Sequence, residues 1–193
     1  PSGWVTYLSH KGFDPNAIQH DLCANQAAVA WILAWQHLTH KNDSPLPPSP
    51  LHNVRIAAPR RECIRRISVQ YKIPQPLLES VLKTEGGKVG ELHQNSNHTF
   101  DIGPAQINST WLPKLAPYGI TFDKLLNDEC LNIEVGAWIL ATGLGGTTPS
   151  NPLEFWRKVG NYHSATPQYN QIYQRQIWKN IQNISHSYAR STY

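Results

Sequence analysis

Residues 128–141 read DECLNIEVGAWILA, and residues 21–34 read DLCANQAAVAWILA. The downstream stretch predicts a helix from Cys130 to Ala141, and its likeness to the upstream one sets the organisation of the chain. Sliding the sequence by 107 positions aligns Ser2–Ala34 with Ser109–Ala141 without a gap, and 12 of 33 positions are identical. Unrelated sequence gives roughly two at background frequencies. The identities are Ser2, Trp4, Leu8, Gly12, Asp21, Cys23, Asn25 and the run Ala30 to Ala34, each with its partner 107 residues on. Two amphipathic helices can converge on AWILA by chance, but not on DxCxN with a tryptophan and a glycine in register. The chain therefore contains a partial duplication, of which only the second copy has its upstream half. Cys63 lies 67 residues before Cys130, whereas the matching partner of Cys23 would fall before residue 1.

Outward from that stretch, helical spacing recurs. Arg60 to Tyr71 places Cys63, Ile64, Ile67 and Tyr71 on one face, and Gln75 to Glu85 does the same with Leu78, Val81 and Leu82. Further helices are predicted over Pro152 to Val159 and Pro167 to Gln182. Lys41 to Pro59 carries five prolines and little periodicity, which reads as a linker, and Gly143 to Pro152 is a second break. No alternation at period two extends beyond four residues, so the expected class is mainly α. The expected organisation is a helical half-repeat without catalytic residues over 1–41, a Pro-rich linker over 42–59, a catalytic domain over 60–182 and a polar tail over 183–193.

The composition bounds the function. A chain of 193 residues with 40% apolar and 16% charged residues can bury a core. It has no run of about 18 apolar residues for a transmembrane helix. The net charge of +4 suits an anionic surface or polymer but is too mild to argue for nucleic acid. Methionine is absent, which predicts an upstream segment removed before or during preparation, a cleaved secretory signal being the commonest reason. Three cysteines are an odd count. They read as three thiols in a reducing compartment, or as one pair and a leftover in an exported protein.

Glu85 continues the stripe of Leu78, Val81 and Leu82, and Gly86-Gly87 should end its helix. A carboxylate there feels the core face and the negative end of the helix dipole. Both raise its pKa toward what a general acid needs. Spacing alone leaves open an outward, solvated Glu85. The loop NSNHTFDIGPAQIN at 95–108 offers Gln106 and Asn108, amides suited to sugar hydroxyls and N-acetyl groups, or equally to their own backbone. GNYHSATP at 160–167 puts Asn161, Tyr162 and His163 in a loop before a proline, as candidates for substrate binding or, for the tyrosine, for packing.

Together, TEGG at 84–87, DIGPAQIN at 101–108, DxCxN with GAWILA to 141, and NYHS at 161–164 resemble the soluble lytic transglycosylase domain of the VirB1-like type. That family is found with bacterial secretion, conjugation and pilus systems. The resemblance covers about residues 60–182. It implies a lysozyme-like α fold and cleavage of glycan between N-acetylmuramic acid and N-acetylglucosamine, in the periplasm or outside the cell. It places the catalytic glutamate on Glu85, a cleft glutamine on Gln106, a tyrosine supporting the glutamate on Tyr162 and a cysteine pair on Cys63 and Cys130. Many members carry serine directly after the glutamate, where this chain has Gly86, and a small turn residue where it has His98.

Such an enzyme needs one carboxylate, because the N-acetyl carbonyl of the substrate supplies the second group. Asp101 and Glu91 are the nearby acids, and Asp101 reads as a brace for the loop rather than a nucleophile. No HExxH or Cys/His cluster points to a metal, and no cofactor is expected. Arg55, Arg60, Arg61, Arg65 and Arg66 form a basic stretch, either a solvated face or a dock for anionic wall polymer. Trp111 and Trp138 match repeat positions and are expected in the core. Residues 25–40 should form a helix that docks through Trp31, Ile32 and Trp35 on the 60–182 domain or on another chain, leaving Cys23 free or bridged between chains. The rival readings are a module that binds glycan or a secretion component without cutting, and a hydrolytic muramidase.

Overall fold

The computed structural model describes residues 59–145 and 152–190, with side chains from 153 to 184 in the second range, and the single positions 14, 16 and 48. The expected helix over 25–40, the state of Cys23 and the boundary at 41/42 lie outside the described residues. The chain divides into two compact units that part between Ala141 and Thr142.

Within 59–141, helices α1 (Arg60–Tyr71) and α2 (Gln75–Glu85) pack together. Pro76 sits in the first turn of α2, where a missing N–H costs no hydrogen bond. Strands β1 (Leu92–Gln94), β2 (Phe100–Ile102) and β3 (Ile107–Asn108) follow, then the short helices α3 (Leu112–Leu115) and α4 (Phe122–Asn127). The Thr121 hydroxyl accepts from the Lys124 N–H at 3.3 Å and caps α4. Helix α5 (Glu129–Leu144) follows, and its residues up to Ala141 belong to this unit. Leu131 to Ala137 are buried without a break, so the helix is surrounded rather than laid on a surface. The Asp128 carboxylate accepts from the Leu131 N–H at 3.0 Å and fixes where α5 begins.

The strands form an antiparallel sheet in the order β1-β2-β3. His93 lies opposite Asp101, and Asp101 opposite Asn108, while Ile102 pairs with Leu92 and Ile107. At two or three residues apiece the strands are too short for alternation to betray them, which is why the sequence read as loop.

In the second unit, α6 (Pro152–Gly160) packs on α7 (Pro167–Arg190) through a core of Phe155, Val159, Tyr173, Ile177 and Ile181. Helix α7 runs past the Gln182 end expected from sequence. Ile184 extends the stripe of Ile177 and Ile181 by three residues and is half-buried, and nothing from 183 to 190 breaks a helix. The described residues are mainly α, as expected, and compatible with a lysozyme-like domain.

Candidate functional site

Glu85 is the last residue of α2, half-buried, one turn beyond the fully buried Val81 and Leu82. Gly86 then turns the chain with φ +68°, its N–H donating to the Leu82 carbonyl at 3.1 Å. At that φ an L side chain is strained, so the local backbone accounts for glycine where the resembled family often has serine. Gly87 lies hard against the next loop. A Cβ there would overlap the Gly103 carbonyl oxygen and the Gln106 amide nitrogen. The chain leaving Glu85 thus packs on the turn that carries Gln106.

Gln106 adopts φ +48°, a left-handed backbone uncommon for a residue other than glycine. Its Nε2 donates to the Gly103 carbonyl at 2.8 Å. Asp101 bonds within the loop through side-chain amides rather than backbone. Its two oxygens accept from Asn95 Nδ2 at 2.9 Å and Asn108 Nδ2 at 2.8 Å. Asn108 also donates to Thr99 Oγ1 at 3.0 Å, and its oxygen accepts from the N–H and hydroxyl of Thr110 at 3.1 and 2.8 Å. The amide that the sequence offers for sugar hydroxyls is engaged within the loop on both of its ends.

Sequence reasoning missed Asn132. On α5 and fully buried, it accepts from the Ala105 N–H at 2.8 Å and donates to the carbonyls of Ile102 and Leu125 at 2.8 and 3.0 Å. The signal was present as the last letter of DxCxN: Asp128 caps the helix, Cys130 bonds to Cys63, and Asn132 holds the loop. Cys63 and Cys130 form a disulfide with Cα atoms 5.5 Å apart, tying α1 to α5. One turn along, Gln70 Nε2 and the Tyr71 hydroxyl donate to the buried Glu134 carboxylate at 2.9 and 3.2 Å. Burial and that carboxylate push the Tyr71 pKa up.

Asn161, Tyr162 and His163 lie in the second unit, on the turn between α6 and α7. The Tyr162 and His163 rings both stack on the buried Tyr173, with centroids 6.5 and 5.1 Å away. Asn170 is buried and its Nδ2 reaches the Arg157 carbonyl, Asn161 Oδ1 and the Ser164 carbonyl at 2.9–3.0 Å.

Invasion protein IagB of Salmonella typhimurium is 30% identical to this chain over 128 residues, 64% of this chain and 77% of that protein. The chain belongs to the IagB family. IagB of Salmonella typhi matches at the same identity and coverage. A peptidoglycan-binding-like protein of Escherichia coli O157:H7 is 28% identical over 129 residues, 62% of this chain and 73% of that relative. No family model matches the chain.

Within this IagB-family chain, the tryptophans expected in the core sit at its margin. Trp111 and Trp138 are half-buried, edge to face at 5.7 Å, with Lys114 Nζ 4.6 Å from the Trp111 ring centre. Their size leaves part of each ring at the surface. The basic stretch on α1 is exposed and partly paired, Arg60 with Glu129 at 3.3 Å and Arg65 with Glu62 at 2.6 Å. Among the described residues no three His, Cys, Asp or Glu side chains group as a metal site, and no helix is long and apolar enough to cross a membrane.

Proposed function

We propose that this chain is a peptidoglycan lytic transglycosylase that cuts the β-1,4 bond between N-acetylmuramic acid and N-acetylglucosamine. The observation that carries the reading is the end of α2 against the Gln106 turn. Gly87, two residues after the half-buried Glu85, packs on a loop whose backbone is left-handed at Gln106, and this supports Glu85 as the acid. Glu85 donates its proton to the glycosidic oxygen while the muramoyl N-acetyl oxygen bonds to C1, displacing the leaving sugar. The Glu85 carboxylate then takes the proton of the C6 hydroxyl, and O6 displaces the acetamido oxygen at C1. A 1,6-anhydro ring closes without water, and Glu85 returns to its acid form. Gln106 contacts the glycan, Asp101 and Asn108 brace the loop, and Asn161, Tyr162 and His163 contact the glycan from the turn between α6 and α7.

The finer assignment to the VirB1-like type, with local opening of the wall for a secretion or pilus apparatus, belongs to the same proposal. So does a periplasmic or secreted location, which the disulfide supports.

Purified sacculi incubated with the protein should release muropeptides ending in 1,6-anhydro-N-acetylmuramic acid. Glu85→Gln, which keeps the shape but cannot deliver a proton, should cut that release at least ~100-fold without loss of fold. Near-normal turnover by this variant would remove Glu85 from the mechanism. A hydrolytic muramidase would need a second carboxylate, and the nearby Asp101 has both oxygens held by the amides of Asn95 and Asn108. The muramidase's products carry one water more, so mass spectrometry separates the two.

A further inference from the structure

The contacts between the buried face of α5 and the end of α2 form an unbroken series. Asn132 bonds both sides of the turn before Gln106, at the Ile102 carbonyl and the Ala105 N–H, and anchors it to the Leu125 carbonyl. Gly103, between those points, has φ +65°, and a Cβ there would stand 2.5 Å from Asn132 Nδ2. The Gly103 carbonyl accepts from Gln106 Nε2 and also abuts Gly87, two residues after Glu85. Both hydrogens of the Asn132 amide are used, and its oxygen accepts one bond.

We infer that Asn132 is a positioning residue, which sets the register of the Gln106 turn against the Glu85 end of α2 without touching substrate. The catalytic part of this inference rests on the transglycosylase reading. A side chain with three fixed bonds leaves the turn one arrangement. Smaller or charged replacements free it to shift, and small displacements of groups around a reacting bond are costly in rate. The loss should fall on turnover more than on affinity, because a displaced turn still offers the same groups to the bound glycan.

The test uses the full chain. Asn132→Ala removes all three bonds. Asn132→Asp keeps the acceptor for Ala105 but sets a carboxylate against two carbonyls. Both should retain helical content and the disulfide, lower kcat and kcat/KM on sacculus-derived glycan by ~10- to 100-fold, and leave KM within about threefold. Hydrogen exchange of the Ala105 amide should speed in both variants while the amides of α2 stay protected. Gly103→Ala gives an independent arm. It should impair the wild-type background more than Asn132→Ser, where the obstructing amide is gone. A kcat within about threefold of wild type in Asn132→Ala, or an unchanged Ala105 exchange rate, would overturn the inference. If the unaltered chain releases nothing from sacculi, the transglycosylase reading falls. Ala105 exchange, measured in the Asn132 variants and in Gly103→Ala, then still decides whether Asn132 sets the turn.

Discussion

Gly86 and Gly87 follow Glu85 in sequence but answer to different constraints. Gly86 faces open space, and its φ of +68° alone demands glycine; Gly87 has an ordinary backbone but no room for a side chain. Gly86→Ala should therefore cost about 1 kcal/mol, the strain of a left-handed L residue. Glu85 should stay in place. The denaturation midpoint should fall with glycan turnover little changed. A stability equal to wild type would mean that the helix end relaxes into another cap. Gly86→Ser should cost a similar amount, so a hydroxyl at this position does not come free in this backbone. The glycines as helix stop were legible from TEGG, but the collision at Gly87 was not. It depends on Gly103 and Gln106, which sequence distance hides.

Helices α1 and α5 are joined by the disulfide, by the Arg60–Glu129 pair and by the bonds of Gln70 and Tyr71 to Glu134. Cross-linking positions 67 residues apart is worth ~4 kcal/mol in the chain-entropy model, less in practice. Replacing Cys63 and Cys130 together by serine should lower the thermal midpoint, and reductant should lower the wild type toward that value. A reductant-insensitive wild type would argue that the thiols are free. The join at Glu134 gives a pH signature. Tyr71 is neutral when protonated, and its folded pKa is raised, so its contribution is intact below the ordinary tyrosine value near 10 and is lost as pH climbs above it. Tyr71→Phe should cost about 1 kcal/mol at neutral pH through the lost hydrogen bond. It should also show a shallower decline in stability above pH ~10 than the wild type. Parallel alkaline profiles of the two proteins would refute that account. Periodicity revealed α1, whose apolar side chains repeat on one face, and the repeated AWILA run marked α5. Neither could reveal Glu134 as a buried acceptor, because its partners lie on another helix.

The whole chain carries +4 with a pI near 9.0, and the exposed face of α1 bears Arg61, Arg65 and Arg66. Long-range attraction to an anionic wall fades as the Debye length contracts from ~10 Å at 0.1 M salt to ~3 Å at 1 M. Retention on sacculi, measured by co-sedimentation, should therefore weaken across that range even for Glu85→Gln. Salt-independent retention would assign binding to the glycan cleft alone. At this scale the helical class was legible because helix spacing dominates the chain. The three-stranded sheet and the true end of α7 were not, being matters of two or three residues and of one further isoleucine.

The fit of Gly103 to Asn132 has a consequence for how this sequence can drift. A methyl group added at 103 meets the amide at 132, while trimming the amide unfastens the turn. Neither codon can move first without loss, so the two should be inherited as a couple. In a library randomised at both positions and selected for glycan cutting, glycine and asparagine should return together, and survivors with one but not the other should be rare.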